Sequence, residues 1–206
     1  VVSLVAGRAG DRRQLLAMHG CSVAAVKPSR MHSLAALTAC VAVTVLAPAG
    51  VANAAATCPT AAPQSGAAPD WTLNGATGSV AVTGSTDAAA PRVAVTPPFS
   101  VTQTQVQTLH AGDGPVVPAT ARVTVCYMGV NGRDGSVFDN SYERGAPVAF
   151  PLTNVITGFQ KAIAGQKVGS TVAVAMTPAD GYPDGQPSAG IKPGDSLVFA
   201  IKILSA

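Results

Sequence analysis

The chain has 206 residues, of which 48% are hydrophobic and only 11% charged, with 21 Gly and 16 Pro. A charged fraction far below the roughly 25% of an average soluble domain, beside an ordinary apolar fraction, excludes a disordered charged tail and a coiled coil. The net charge of +3 comes from one end: residues 1–54 carry five Lys or Arg against one acid and residues 55–206 carry eight against nine, so the larger part offers no basic character for nucleic acid or an anionic membrane.

Leu34 to Leu46 is a 13-residue apolar segment preceded by Lys27 and Arg30 and followed by Pro48, Gly50 and the triplet Ala52-Asn53-Ala54. A basic stretch, a short apolar run and an A-x-A site form the pattern of a secretory signal peptide, with cleavage expected after Ala54. A spanning helix needs roughly 20 apolar residues, so a membrane anchor fits less well. Leu37-Thr38-Ala39-Cys40 resembles a lipoprotein lipobox, although the apolar segment continues past it, which keeps a lipid anchor at Cys40 as an alternative. The expected location is extracytoplasmic: secreted or associated with the cell envelope.

Residues 55–100 are rich in Ala, Thr, Pro, Gly and Ser, with Trp71 and Phe99 as the only aromatics. That composition predicts a linker, flexible from Ala55 to about Gly78. Within it, Ser79–Thr83 and Arg92–Thr96 alternate Val with small residues and are either edge strands or extended linker.

From Val101 to Ala206 the pattern becomes that of one domain. Val123, Val125 and Tyr127 alternate with Thr124 and Cys126; Val172, Val174 and Met176 with Ala173 and Ala175; Leu197, Phe199, Ile201 and Ile203 with Val198, Ala200 and Lys202. Such alternation predicts strands with one buried face. Asn131-Gly132 and Asp134-Gly135 are tight-turn dipeptides between the first of these strands and Val137-Phe138. Val155, Ile156, Phe159, Ala162 and Ile163 recur at helical spacing, with Gly165 as the C-cap. The expected fold class is α+β, an antiparallel sheet with one short helix across it.

The residue inventory narrows the chemistry. Of the three His residues, only His110 lies beyond the expected cleavage point, at a strand end before a Gly-rich loop, where it reads as a surface residue. No Cys/His cluster has zinc spacing and no Gly-rich phosphate loop opens a helix, so no metal and no nucleotide cofactor are expected. Cys126 points away from the Tyr127 side; a disulfide with Cys58 and a buried free thiol both remain open. Tyr127, Phe138, Phe150, Phe159, Tyr182 and Phe199 fall in or beside the predicted elements, where they form either a plain core or an apolar ligand pocket.

Motif spacing favours the pocket. Val125-Cys126-Tyr127-Met128-Gly129, Gly135 to Ser141 (GSVFDNS), Arg144-Gly145-Ala146-Pro147, Val155-Ile156-Thr157-Gly158-Phe159, Gly165 to Gly169 (GQKVG), Gly181-Tyr182 and Leu197-Val198-Phe199 occur in one order over residues 121–204. In this they resemble the FKBP-type peptidyl-prolyl cis-trans isomerases. The resemblance implies a twisted antiparallel half-barrel wrapped around a short helix. It implies a pocket lined by Tyr127, Phe138, Asp139, Val155, Ile156, Tyr182, Ile191 and Phe199, with Phe159 as its floor. Tyr182 and the Ile156 N–H would donate hydrogen bonds to substrate carbonyls, and Asp139 would supply a buried polar contact. The floor is more often Trp in the family. Val148 and Gly190 stand where larger side chains are common, which makes the expected pocket shallower for macrolide inhibitors. The implied protein is a cofactor-free monomer acting on proline-containing segments of exported proteins. The alternative is a non-catalytic binding or chaperone module of the same fold.

Overall fold

The computed structural model describes residues 56–206 apart from Gln64. The expected signal segment, its cleavage point and the alternative anchor at Cys40 lie outside the described residues.

Two antiparallel sheets make up the described part. The first has three strands, β1 (Trp71–Asn74), β2 (Thr77–Thr83) and β3 (Arg92–Ser100), hydrogen-bonded in that order. The second contains β4 (Gln105–His110), β5 (Arg122–Asn131), β6 (Val137–Asn140), β7 (Val148–Pro151), β8 (Thr171–Met176) and β9 (Leu197–Ser205). Its order is β4-β8-β9-β5-β6, and β7 shares the outer edge of β5 with β6. The helix α1 (Thr157–Ile163) follows a short 3-10 turn over Leu152–Asn154. This is the expected α+β class, with the sheet wrapped on one helix.

The large members of each alternating strand face α1. Val123 and Val125, Val172, Val174 and Met176, and Leu197, Phe199, Ile201 and Ile203 share one core with Phe159, Ala162 and Ile163 of the helix. Gly158 makes the approach possible, because a Cβ there would sit 2.6 Å from the Met176 side chain. The helix begins later than its apolar spacing predicts. Ile156 is the N-cap, with extended φ −58° and ψ 147°, so Val155 and Ile156 precede the first turn. It ends as expected, with Gly165 in the left-handed region at φ 81°.

The flexible-linker expectation is corrected at β1 and the start of β2, and the two alternating stretches left open as edge strands or linker are the strands β2 and β3. Val80, Val82, Phe99 and Val101 are buried against Ala173, Ala175, Val198 and Ala200, on the face of β8 and β9 turned away from α1. Both strands are therefore covered on both sides, and the expectation of one buried face is corrected with it. The physical reason lies in the smaller set of the alternation, which is Ala and Val where a solvated face would be polar. A flat surface of small side chains leaves room for a second sheet, and a few branched or aromatic residues suffice to cover it. Each such side chain, once fully buried, contributes about 1.5–3 kcal/mol.

The same reverse face continues across β5. Cys126 forms a disulfide with Cys58, Cα–Cα 5.7 Å, and the pair is buried with Ala90 and Tyr142. The Tyr142 hydroxyl shares a hydrogen bond of 2.8 Å with Ser85, also buried. Residues before the main sheet are thus held to it by packing, by a side-chain hydrogen bond and by a covalent link.

Candidate functional site

The helix-facing side of the sheet opens into an aromatic bowl. Phe159 from α1 and Phe199 from β9 form its floor, 6% and 3% exposed, with ring centroids 4.7 Å apart and nearly perpendicular. Phe150 of β7 meets Phe159 at 5.9 Å, Tyr127 of β5 meets it edge-on at 5.6 Å, and Phe138 of β6 meets Phe199 at 5.4 Å. These are the T-shaped geometries that the aromatic quadrupole favours. Tyr127, Phe138, Val148, Val155, Ile156 and Tyr182 pack against the floor while staying partly exposed, and Ile191 is buried with it. The floor is buried and the rim is partly exposed.

Two backbone features put the rim in place. Gly129 lies directly opposite Phe199, and a Cβ on it would come within 2.6 Å of that ring and 2.7 Å of Phe138. Only glycine lets the two rings meet there. In β6 the register shifts: Gly129 pairs with Asp139 and Val130 with Val137, which leaves Phe138 as the extra residue of a bulge. A regular strand would send Phe138 and Asp139 to opposite faces; a bulge re-aims one of them. Phe138 reaches Phe199 and Asp139 reaches Tyr127, both on the bowl side.

Asp139 differs from expectation in its surroundings. Its side chain is 40% exposed, and its two oxygens accept hydrogen bonds from the Tyr127 hydroxyl and from Arg144 Nη1, the latter at 2.7 Å. The buried polar contact is corrected to a rim carboxylate held between a phenol and a guanidinium. Burial first, and then the carboxylate of Asp139, push the Tyr127 phenol well above its ordinary value. Burial likewise raises Tyr182, with a smaller contribution from Asp139. Both phenols are thus biased toward the protonated form, and that of Tyr127 donates to Asp139.

Ile156 contributes through its backbone. Its carbonyl accepts the Phe159 and Gln160 N–H groups at 3.0 and 3.3 Å. As the N-cap, its own N–H stands outside the helical ladder. Tyr182 and Ile191 come from the long connection between β8 and β9, where Gln186 and Ile191 exchange two backbone hydrogen bonds and Gly190 adopts φ 70°. The structure thus brings all the expected residues to one bowl. Sequence reasoning gave no role to Arg144 or Gly129, although both stand inside the quoted motifs, and it named Phe150 among the aromatics without placing it in the pocket.

A model of the FKBP-type peptidyl-prolyl cis-trans isomerase family matches residues 114–204. Over 102 residues the chain is 35% identical to a probable FK506-binding protein of Corynebacterium glutamicum, spanning 49% of this chain and 85% of that protein. The chain belongs to the FKBP-type isomerase family. It is also 36% identical over 103 residues to the peptidyl-prolyl cis-trans isomerase Mip of Coxiella burnetii, where the match spans 49% of this chain but only 44% of the relative. The crystal structure of FkpA from Escherichia coli aligns with 34% identity over 50% of this chain and 47% of that one, with a TM-score of 0.45. Within the FKBP-type span lie the whole bowl and Arg144; β1 to β4 and Cys58 precede it.

Among the described residues, no helix is long and apolar enough to cross a membrane.

Proposed function

We propose that the chain is a peptidyl-prolyl cis-trans isomerase that acts on proline-containing segments of proteins folding outside the cytoplasm. The observation that carries this reading is the bowl itself, an apolar floor of Phe159 and Phe199 under a partly exposed rim that includes Tyr127 and Tyr182.

The reaction needs no nucleophile. The barrier to rotation of an X-Pro amide, roughly 18–20 kcal/mol, is amide resonance, and an apolar surface that withdraws the amide from water favours the twisted, less conjugated form. Binding that form better than either planar one lowers the barrier. In this reading the proline ring lies on Phe159 and Phe199. The Tyr182 hydroxyl and the Ile156 N–H donate to the flanking carbonyls. Asp139, fixed by Tyr127 and Arg144, orients the Tyr127 wall of the rim. Val148 offers a smaller wall than an aromatic residue, which favours slim peptide segments over bulky macrolides.

The extracytoplasmic setting is supported by the Cys58–Cys126 disulfide, since such bonds persist in oxidising compartments, together with the signal-like pattern of residues 27–54. The bowl is complete within one chain, so the proposed activity asks for no second copy. Unaided X-Pro isomerisation takes tens to hundreds of seconds, so a catalyst is of use where exported chains fold.

The test is isomerisation of a prolyl peptide by the purified chain. Acceleration over the spontaneous rate supports the enzyme. Unaltered rates with retained binding of an unfolded client would replace it by the non-catalytic module.

A further inference from the structure

The turn between β5 and β6 carries an arginine that lies outside the aromatic bowl and yet touches the loop forming its far wall. Each nitrogen of the Arg133 guanidinium is engaged. Nε donates to both Asp195 oxygens at 3.2 Å, Nη1 pairs with Asp134 at 2.7 Å, and Nη2 donates to the Gly190 carbonyl at 3.0 Å. Asp195 is 7% exposed, and its carboxylate also accepts from Asn131 Nδ2 at 2.7 Å and Lys192 N–H at 2.9 Å. Asn131, itself 1% exposed, takes the Arg133 N–H on its other side-chain atom at 2.9 Å.

This network joins two opposite walls. Four residues after Arg133 the chain enters β6, which bears Phe138 and Asp139. One residue after Gly190 comes Ile191, bridged to Gln186, and Gly185 in turn donates to the Tyr182 carbonyl at 3.0 Å. The turn is also held from behind, because the Phe99 N–H of β3 donates to the Gly132 carbonyl and Gly132 N–H to the Ser196 carbonyl, each at 2.8 Å. The covering sheet, the turn and the wall loop therefore form one mechanical series.

We propose that Arg133 is a positioning residue that straps the Gly185–Ile191 wall to the β5–β6 turn and so sets the width of the substrate bowl. This rests on the isomerase reading for its effect on substrate, whereas the strap itself does not. Its fork geometry matters, because a lysine offers one point charge and cannot serve Asp195 and Gly190 together. Removing the guanidinium leaves Asp195 with its bonds from Asn131 and Lys192, so the variant is expected to fold.

The experiment compares wild type, Arg133→Ala, Arg133→Lys and Asp134→Asn by amide hydrogen exchange and by kinetics on a prolyl peptide. In Arg133→Ala, exchange at Gly190 and Ile191 should accelerate about tenfold while β8 and β9 stay protected, and KM should rise about fivefold with kcat little changed. Arg133→Lys should recover only part of either effect, and Asp134→Asn, which leaves the Gly190 contact in place, should match wild type. Unchanged exchange in Arg133→Ala overturns the strap. Faster exchange with unchanged KM overturns its part in substrate binding. An inactive wild type defeats the isomerase reading instead, and the exchange data alone then decide the strap.

Discussion

The two faces of the six-stranded sheet are made by the same strands and yet meet opposite kinds of cover. Toward α1 the strands present Phe199, Ile201, Val174 and Met176, large side chains that fill a core and leave an aromatic bowl at its edge. Away from α1 they present Ala173, Ala175, Ala200 and Val198, a low relief sealed by β2 and β3. The first face needs depth and an opening; the second needs only to be excluded from water. In the proposed enzyme, chemistry belongs to the rough face and anchorage to the smooth one, and perturbations of the two should separate cleanly.

The largest test is on the rough face. Phe159→Ala removes the floor at a cost of about 3–5 kcal/mol, and both the melting temperature and isomerase activity should fall. If activity survives in the folded fraction, the bowl is not the site. Next in size is the anchor of the smooth face. Cys58→Ser opens a crosslink spanning 68 residues, and chain entropy sets the loss near 4 kcal/mol. Urea unfolding should show it while kcat/KM of the folded protein holds. Ala175→Leu forces an extra branch between the two sheets and should cost about 1–3 kcal/mol, again with turnover preserved; a matching fall in turnover would break the division between faces.

Smaller effects separate the two buried tyrosines. Burial raises the Tyr142 phenol to about 12, partly offset by its hydrogen bond with Ser85, and burial with Asp139 raises Tyr127. A folded-state value above the unfolded one, about 10, means that folding favours the protonated phenol. Its contribution is full below that pH and is lost as pH rises toward the folded value. Urea midpoints should therefore decline above about pH 10 in wild type and decline less in Tyr142→Phe. That variant should leave turnover intact, whereas Tyr127→Phe, which deprives Asp139 of a donor, should lower it. Arg144→Ala should change stability by less than about 1 kcal/mol, since the Asp139–Arg144 pair is exposed, and should reduce kcat/KM modestly.

Much of the rough face was legible from sequence, because period-two alternation in β5, β8 and β9 sorts the large residues to one side. The smooth face was only half legible, with the covering stretches open to either edge strand or linker. Its signal was present in Ala173, Ala175, Val198 and Ala200, where a solvated strand would carry polar groups, but the covering residues sit in an Ala-, Thr- and Pro-rich stretch that composition alone assigns to linker. The site residues came from motif spacing. Their support did not, because it depends on a bulge at Phe138 that alternation cannot foresee and on arginines that reach across loops. Arg133 finds Asp195 and Gly190 some sixty positions away, a pairing no local pattern encodes.

The Cys58–Cys126 bond also determines how damage would travel. It spans the covering sheet, β4 and the first half of β5. A single proteolytic cut anywhere between the two cysteines leaves both pieces joined, so the nicked protein runs as one species until a reductant is added. Loss of the N-terminal piece then takes two events, hydrolysis and reduction, and in the oxidising setting proposed above only the first is readily met.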